Sequence, residues 1–355
     1  MNIEQLPEKP LVSILILNHN EKTFIKGCIE SVMKQTYKNF EIFFIDNGST
    51  DGSIDYMKQH YPKVKIIDNK KNIGVPAAIN EGYYKAKGDI ITICSADIIV
   101  DKNWLLESLR MLYSEKRIAC VGCYVNNKGI GVINGSTNIL GYNIVDVFKD
   151  KTRKFYTSLS STFYNNLLEW ISDPDYFFYN EDTYNGWLFR IKGYDVRLAP
   201  KSKLVHFPTY LHPTNTNKNV KKRKRVFKEY GYFLSERNRN MNLLLFYSKS
   251  NLLKTAPLNF MVSLARIAWN LKSDRQKALK YIKSYIWLLA NMGKIIKKRK
   301  HIQKQRTVND REITQFITSK LVNGSGGKSD AVNKVSKKYC DFVHLTCLEN
   351  SGLDI

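Results

Sequence analysis

Continuous apolar runs alternate with amphipathic stretches through the first third of the chain. Residues 11–17, 40–45, 64–68, 89–94 and 118–125 read as strands, and residues 22–34, 52–60, 75–87 and 101–115 as helices between them. Unbroken apolar runs are expected of strands buried on both faces of a parallel sheet. Strand–helix alternation implies right-handed crossovers and an α/β fold with a mostly parallel sheet. Asp51 and Asp101 are good N-cap types for the helices after them, and Gly88 is placed to close the third helix. The first two strands each run into a polar, turn-forming cluster: Asn18-His19-Asn20 and Asp46-Asn47-Gly48-Ser49-Thr50-Asp51. Open α/β sheets bind ligands beyond the carboxyl ends of their strands, so these clusters mark a nucleotide-type pocket.

Past residue 125 the pattern loosens. Gly129, Gly131 and Asn134-Gly135 are turn signals, and Ser158 to Ser161 reads as a loop. From Phe163 a helix is expected to reach Asp173-Pro174. A second helix should run from Tyr179-Asn180-Glu181-Asp182 to Gly193, with strands near 195–199 and 203–207. After Pro213 come a polar linker at 215–219, a basic run from Lys221 to Lys228, and helical stretches near 226–249, 257–272 and 274–299. The last part opens on Asn323-Gly-Ser-Gly-Gly327 and reads as a loosely ordered tail.

Charge changes this picture more than composition does. The chain of 355 residues has a net charge of +24. Residues 1–215 hold 26 Lys/Arg and 23 Asp/Glu, whereas residues 216–355 hold 30 and 9, so the excess is confined to the C-terminal part. Basic helices carrying Trp and Tyr, as in Ala265-Arg266-Ile-Ala-Trp269 and Tyr281 to Leu289, suit an anionic membrane surface. The same charge would attract nucleic acid, but no nucleic-acid-binding motif accompanies it, so nucleic acid is not the expected partner. No run approaches the ~20 nearly uncharged residues of a membrane span. The N-terminus has no signal-peptide pattern, which makes the cytosolic side, with peripheral attachment to its membrane face, the expected location. The six cysteines show no disulfide spacing, and Cys120-Val-Gly-Cys123 lies in a strand without a second metal-ligand pair, so it reads as structural.

Four polar clusters fall at successive strand ends: Asn18–Asn20, Asp46–Asp51, Asn72 to Gly82, and Ser95-Ala96-Asp97. With Glu181-Asp182 after the aromatic run Tyr176 to Tyr179, this series resembles the inverting glycosyltransferases of family 2, in a rhamnosyltransferase-like subgroup. The resemblance covers roughly residues 10–210 and more weakly 211–312. It implies the GT-A fold, a Rossmann-like, mostly parallel sheet flanked by helices, here with a basic C-terminal helical extension. The implied domains are a lead at 1–10, a catalytic domain at 11–213 (nucleotide-sugar half 11–125, acceptor half 126–213), the extension at 214–320 and the tail at 321–355.

By the same resemblance Asn18, Asn20, Asp46 and Asn47 line the donor base pocket. Asn72, Gly74 and Asn80 approach the diphosphate, where a helix N-terminus suits an anion. Ser95-Ala96-Asp97 stands for the family's Asp-x-Asp motif, with Ser95 in place of the first Asp. Asp97 and His206 would then hold Mg²⁺ or Mn²⁺, hard ions that take oxygen and imidazole ligands. Asp182 is the expected base that deprotonates the acceptor hydroxyl, with Glu181 beside it. Trp187 and Tyr179 are expected at the acceptor, while Tyr184 and Leu188 replace an Asp and an Arg usual in the family. Arg190 and Arg197 read as solvated surface residues, and Arg237-Asn238 matches a segment that follows the catalytic domain in the subgroup. The implied partners are a nucleotide-diphosphate sugar and a glycan or lipid-linked saccharide acceptor. A non-catalytic sugar-nucleotide-binding scaffold with the same fold is the competing expectation.

Overall fold

Val12–Asn18 (β1), Phe40–Asp46 (β2), Lys65–Asp68 (β3) and Ile90–Ser95 (β4) are joined through helices Lys22–Met33 (α1), Ser53–His60 (α2) and Val75–Tyr83 (α3). They appear in a computed structural model that describes residues 9–125, 135–144, 147–158, 160–207, 218–323 and 326–352, without the side chains of 218–229. The lead, the turns at 129–134 and the linker at 215–217 lie outside the described residues, as do the side chains of the basic run Lys221–Lys228. Two compact units are formed. One holds residues up to 134 with 152–177 and 194–214; the other holds 135–151, 178–193 and everything from 215.

In the first unit β1 pairs in parallel with β2 and β4, and β2 with β3. Ile98–Val100 (β5), Trp104–Leu112 (α4), Ile118–Val125 (β6), Arg153–Lys154 (β9), Ser160–Tyr164 (β10) and Asp195–His206 (β11) complete it. The strand order is β3-β2-β1-β4-β10-β6-β11-β5, with β9 beside β11. This is the expected α/β architecture, and β1, β2 and β4 are buried nearly throughout, as unbroken apolar strands should be. The core includes Ile14, Ile16, Phe44, Trp104 and Leu109.

Several local expectations fail here. The segment expected as a loop and then a helix is β10, antiparallel to both β4 and β6. Two strands with unfilled edges hold Thr162 and Phe163 extended, and that ladder outweighs local helix preference. Two short 3₁₀ turns, Asn165–Leu167 and Pro174–Tyr176, follow in place of the helix. Helix α3 stops at Tyr83, and Gly88 instead lets the chain pass against β1, where a Cβ would lie 2.6 Å from Ser13 N. Asp51 and Asp101 act just outside their helices, accepting from the backbone N–H of Ser53 and Asn103. The two strands expected near 195–207 are one strand with an irregularity between Ala199 and Lys203. Arg197 is buried rather than solvated, 3.4 Å from Asp195 and 3.7 Å from Glu115.

The second unit is largely helical. Glu181–Ile191 (α5), Lys218–Phe246 (α6), Lys249–Ser273 (α7), Arg275–Ala290 (α8), Met292–Lys304 (α9), Asp310–Thr314 (α10) and Gly327–Phe342 (α11) accompany a short ladder of Ser136–Thr137 (β7) with Asn143–Ile144 (β8). Helix α7 begins eight residues before Pro257, because Ser248 Oγ accepts from Asn251 N and caps it there. The stretch expected as one helix over 274–299 is two, α8 and α9, broken at Asn291. The expected loose tail is largely ordered: Ser336, Cys340, Leu345 and Cys347 are buried, Leu348 N donates to Ile317 O, and Glu349 accepts from Ser319 N. Apolar and polar anchors distributed beyond the glycines overrode their linker-like composition. Among the described residues no helix is long and apolar enough to cross a membrane.

All six cysteines are buried and none forms a disulfide. Burial pushes the Cys120 and Cys123 thiols up to about 12, which leaves them inert core residues. No group of three metal-ligating side chains occurs among the described residues.

Candidate active site

The polar clusters in the first unit interlock through their side chains. Asn18 Nδ2 donates to Asp46 Oδ2 at 2.7 Å and to Ser49 Oγ at 3.0 Å, while Asp46 Oδ1 accepts from Ser49 N at 2.8 Å. Asp46 is only 1% exposed, so its established task is to close the turn after β2 and orient Asn18. The Asn18 amide oxygen is buried without a hydrogen-bond partner among the described residues, as is Asn69 Nδ2 just beyond β3. An unmet buried acceptor costs about 1–3 kcal/mol, a cost that a ligand N–H removes. Asn69 carried no motif and was missed; its signal is its position, since its N–H bonds to Asp46 O across the strand ends.

Asn20 sits at φ 61°, where its Oδ1 accepts from Thr50 N at 2.7 Å and its own N–H reaches Ser49 Oγ at 2.8 Å. Asn47 bridges the next loop: its Oδ1 accepts from Ile73 N, and its Nδ2 contacts Asn72 Oδ1 at 3.2 Å and Gly74 O at 3.3 Å. Gly74 has φ 89°, and a Cβ there would lie 2.8 Å from the backbone of Phe177, whose carbonyl accepts from Val75 N. Only glycine suits both the backbone angle and the close approach. Asn80 differs from its expected role. Its amide bonds to Ser172 O and Ile171 N, so it anchors that segment rather than facing a donor.

Beyond β4, Leu17 and Ser95 are register partners, so Asn18 and Ser95 close adjacent strand ends. Ser95 Oγ donates to Asp97 Oδ1, and Asp97 Oδ2 lies 3.0 Å from His206 Nε2 at the end of β11. Octahedral ligands about 2.1 Å from Mg²⁺ are about 3.0 Å apart along an edge, so this pair fits two neighbouring positions of such an ion. The remaining positions would fall to water and diphosphate oxygens, the usual arrangement for an ion without an all-protein cage. Ala96 contributes no ligand group: its methyl is in the core and its N–H bonds to Leu17 O.

In the second unit, Glu181 and Asp182 open helix α5, where the unpaired N–H groups of the first turn favour negative charge. Asp182 Oδ1 accepts from Thr183 N at 2.7 Å. Glu181 as a residue is half-buried, yet its Oε2 is shielded from solvent. Burial of that carboxyl, with the Asp182 charge beside it, pushes Glu181 up to about 8. Glu181 therefore favours its protonated form more than an exposed carboxyl does.

The turn ahead of α5 is strained, with Tyr179 at φ 69° and Asn180 at φ 61°. Asn238 holds it: its Nδ2 donates to Phe178 O at 2.9 Å and to Tyr179 O at 2.7 Å. Asn180 Nδ2 in turn donates to Ser235 O. The Arg237-Asn238 segment thus acts by positioning, and Arg237 itself lies over the Trp287 ring at 4.6 Å. Tyr179 packs on Gly231, where a Cβ would meet its ring at 2.9 Å.

Trp187 is not placed to meet an acceptor. It is fully buried, stacked on Phe246 at 5.7 Å and edge-on to Tyr247 at 5.1 Å. Tyr184 and Leu188 are also core residues, so the two departures from the family pattern serve packing. Arg190 is buried, 3.9 Å over the Phe316 ring, a stacking that its planar guanidinium permits.

Comparison with known proteins bears on the family and the fold. The model of the family "Glycosyl transferase family 2" matches residues 13–176. Glycosyltransferase GlyG of Streptococcus pneumoniae is 34% identical over 120 residues, 33% of this chain and 40% of that protein. The chain spans less than half the length of the curated relatives it matches first, 49% and 40%. S. aureus TarS 1–349 in complex with UDP-GlcNAc superposes with a TM-score of 0.51 at 16% identity, covering 93% of this chain and 92% of that one. GalNAc-T7 with UDP, GalNAc and Mn²⁺ gives 0.54 at 17% identity, over 70% of this chain and 51% of that one. Both structural likenesses concern the fold, which is that of the GT-A glycosyltransferases. Residues 13–176, a little under half of the chain, are thus similar to glycosyltransferase family 2.

Proposed function

We propose that this protein is an inverting glycosyltransferase that moves a sugar from a nucleoside-diphosphate sugar to a hydroxyl of a glycan acceptor carried on a polyprenyl lipid. The observation that carries the donor half is the Asp97–His206 pair, 3.0 Å apart, one strand end away from the unmet acceptor of Asn18. Uracil, thymine and guanine each present an imide or amide N–H that would satisfy Asn18 Oδ1, which supports UDP-, dTDP- or GDP-sugars as donors. Asp97 and His206 would hold Mg²⁺ or Mn²⁺, and the solved relative with UDP and Mn²⁺ is in keeping with that choice. Such an ion, when bound, neutralises charge on the departing diphosphate.

In the transfer, Asp182 accepts the proton of the acceptor hydroxyl as its oxygen bonds to the anomeric carbon. The bond from that carbon to the diphosphate breaks, and the nucleoside diphosphate leaves with the electron pair. Glu181, whose pKa is raised by burial and by Asp182, favours its protonated form and so limits the negative charge in the turn.

A thermal-shift panel of nucleotide sugars, with and without Mn²⁺, tests the donor half. One donor should stabilise the protein by about 2.7 kcal/mol at a hundredfold excess over its Kd, and the Mn²⁺-dependent part should vanish in Asp97→Asn. Equal stabilisation of Asp97→Asn would remove Asp97 from the ion. No response to any donor would favour a scaffold that has lost the donor site.

A further inference from the structure

Helix α7 is built inside out. Leu253, Phe260, Leu264 and Leu271 follow the spacing i, i+7, i+11, i+18, which at about 100° per residue gathers them within a narrow arc. They are the exposed side: Leu253 is 76% exposed, Phe260 64%, Leu264 50% and Leu271 49%. The polar side is turned inward and satisfied. Asn259 exchanges hydrogen bonds with Arg239 and Asn240, Ser263 with Tyr285, and Arg266 with Glu236 at 2.7 Å. A water-facing helix has the opposite polarity, and apolar patches on this scale mark interaction surfaces.

Charge decides what covers this face. Between Lys249 and Asn309 the sequence holds 15 Lys/Arg and one acidic residue, Asp274. A second copy of the chain would bring the same positive excess to the contact, whereas an anionic surface would be drawn to it. We propose that α7 is the membrane-docking element, lying flat with Leu253, Phe260, Leu264 and Leu271 in the acyl boundary of an anionic bilayer. The lysines of α8 and α9 add headgroup attraction. The inference adds the docking surface to the lipid-linked acceptor reading and rests on it for its purpose only, because vesicle binding is scored without turnover and either can fail alone.

The test is flotation of the full chain with phosphatidylcholine vesicles, with and without phosphatidylglycerol. The chain should float only with the anionic vesicles, and Phe260→Glu/Leu264→Glu should lower its partitioning about tenfold or more. Phe342→Glu, at an exposed position on α11, should leave partitioning unchanged. As a second readout, a polarity-sensitive dye on Phe260→Cys, selective because the six native thiols are buried, should shift to the blue on anionic vesicles. No flotation of the parent, equal flotation of the double variant, or an unshifted dye overturns the proposal. So does a dimer in solution that the double variant dissociates, which would assign the face to a second copy.

Discussion

Asp182→Asn should lower sugar transfer about 10³-fold while leaving donor-induced thermal stabilisation intact. An amide keeps the shape and still accepts from Thr183 N, but it no longer takes the acceptor proton, and a positioned base contributes roughly 10²–10⁴ in rate. Retained transfer in Asp182→Asn would remove the base from this position. Lost donor stabilisation would show that the change had damaged the fold. Glu181→Gln provides the contrast. Because burial and Asp182 raise the Glu181 pKa to about 8, the amide mimics its neutral-pH form and should keep transfer within a few fold at pH 7.

The stability consequence of Glu181 has a definite sign. In the unfolded chain its carboxyl loses its proton above the ordinary value of 4.5, while in the folded protein it keeps the proton to about 8. The parent therefore loses stability across that window and levels off above it. Glu181→Gln removes the dependence, so melting of the two proteins should diverge as the pH rises from 4.5 to 8, with the variant the more stable. Parallel melting profiles would contradict a buried, protonated Glu181.

The second large effect concerns Glu236. Its carboxylate pairs with Arg239 at 2.5 Å and Arg266 at 2.7 Å, and the Tyr285 hydroxyl donates to it at 2.6 Å. Arg239 is nearly fully enclosed, with its guanidinium 4.2 Å from the Tyr142 ring and a hydrogen bond to Leu140 O. Glu236→Gln leaves that buried charge without its counter-ion and should destabilise the protein by about 3–5 kcal/mol, read as a depressed melting temperature. Burial would raise the Glu236 pKa, but Arg239 and Arg266 outweigh it and hold the pKa down at about 2. This stabilisation is complete above the unfolded value of 4.5 and is lost as the pH falls toward about 2, a contribution of roughly 3 kcal/mol by linkage. An acid limb equally steep in Glu236→Gln and the parent would place the acid sensitivity elsewhere.

The strand ends proposed to hold the donor were legible because their signals are local. A buried parallel strand must be apolar along its length, and the turn after it must carry Asn, Asp, Gly or Ser, so β1, β2 and β4 and the polar residues at their ends stand out one after another. The acceptor half was not legible in this way. Trp187 looks identical in sequence whether it receives a sugar or stacks on Phe246, and only packing distinguishes the two. Asn80 likewise sits in a motif but spends its amide on the backbone of 171–172. Residues 160–164 became a strand because β4 and β6 each offered them an open edge, a condition set by register partners 39 and more positions away.

Sequence alone determined the α/β class, the order of the polar clusters, the acidic pair at 181–182 and the basic character of the C-terminal helices. Each follows from residue type and short-range periodicity. Tertiary structure decided the polarity of α7, the raised pKa of Glu181, the clamp of Asn238 on the turn before α5, and the order of residues 326–352. All four depend on which groups distant segments bring together, and desolvation and hydrogen-bond satisfaction are properties of that assembly rather than of any window of the chain.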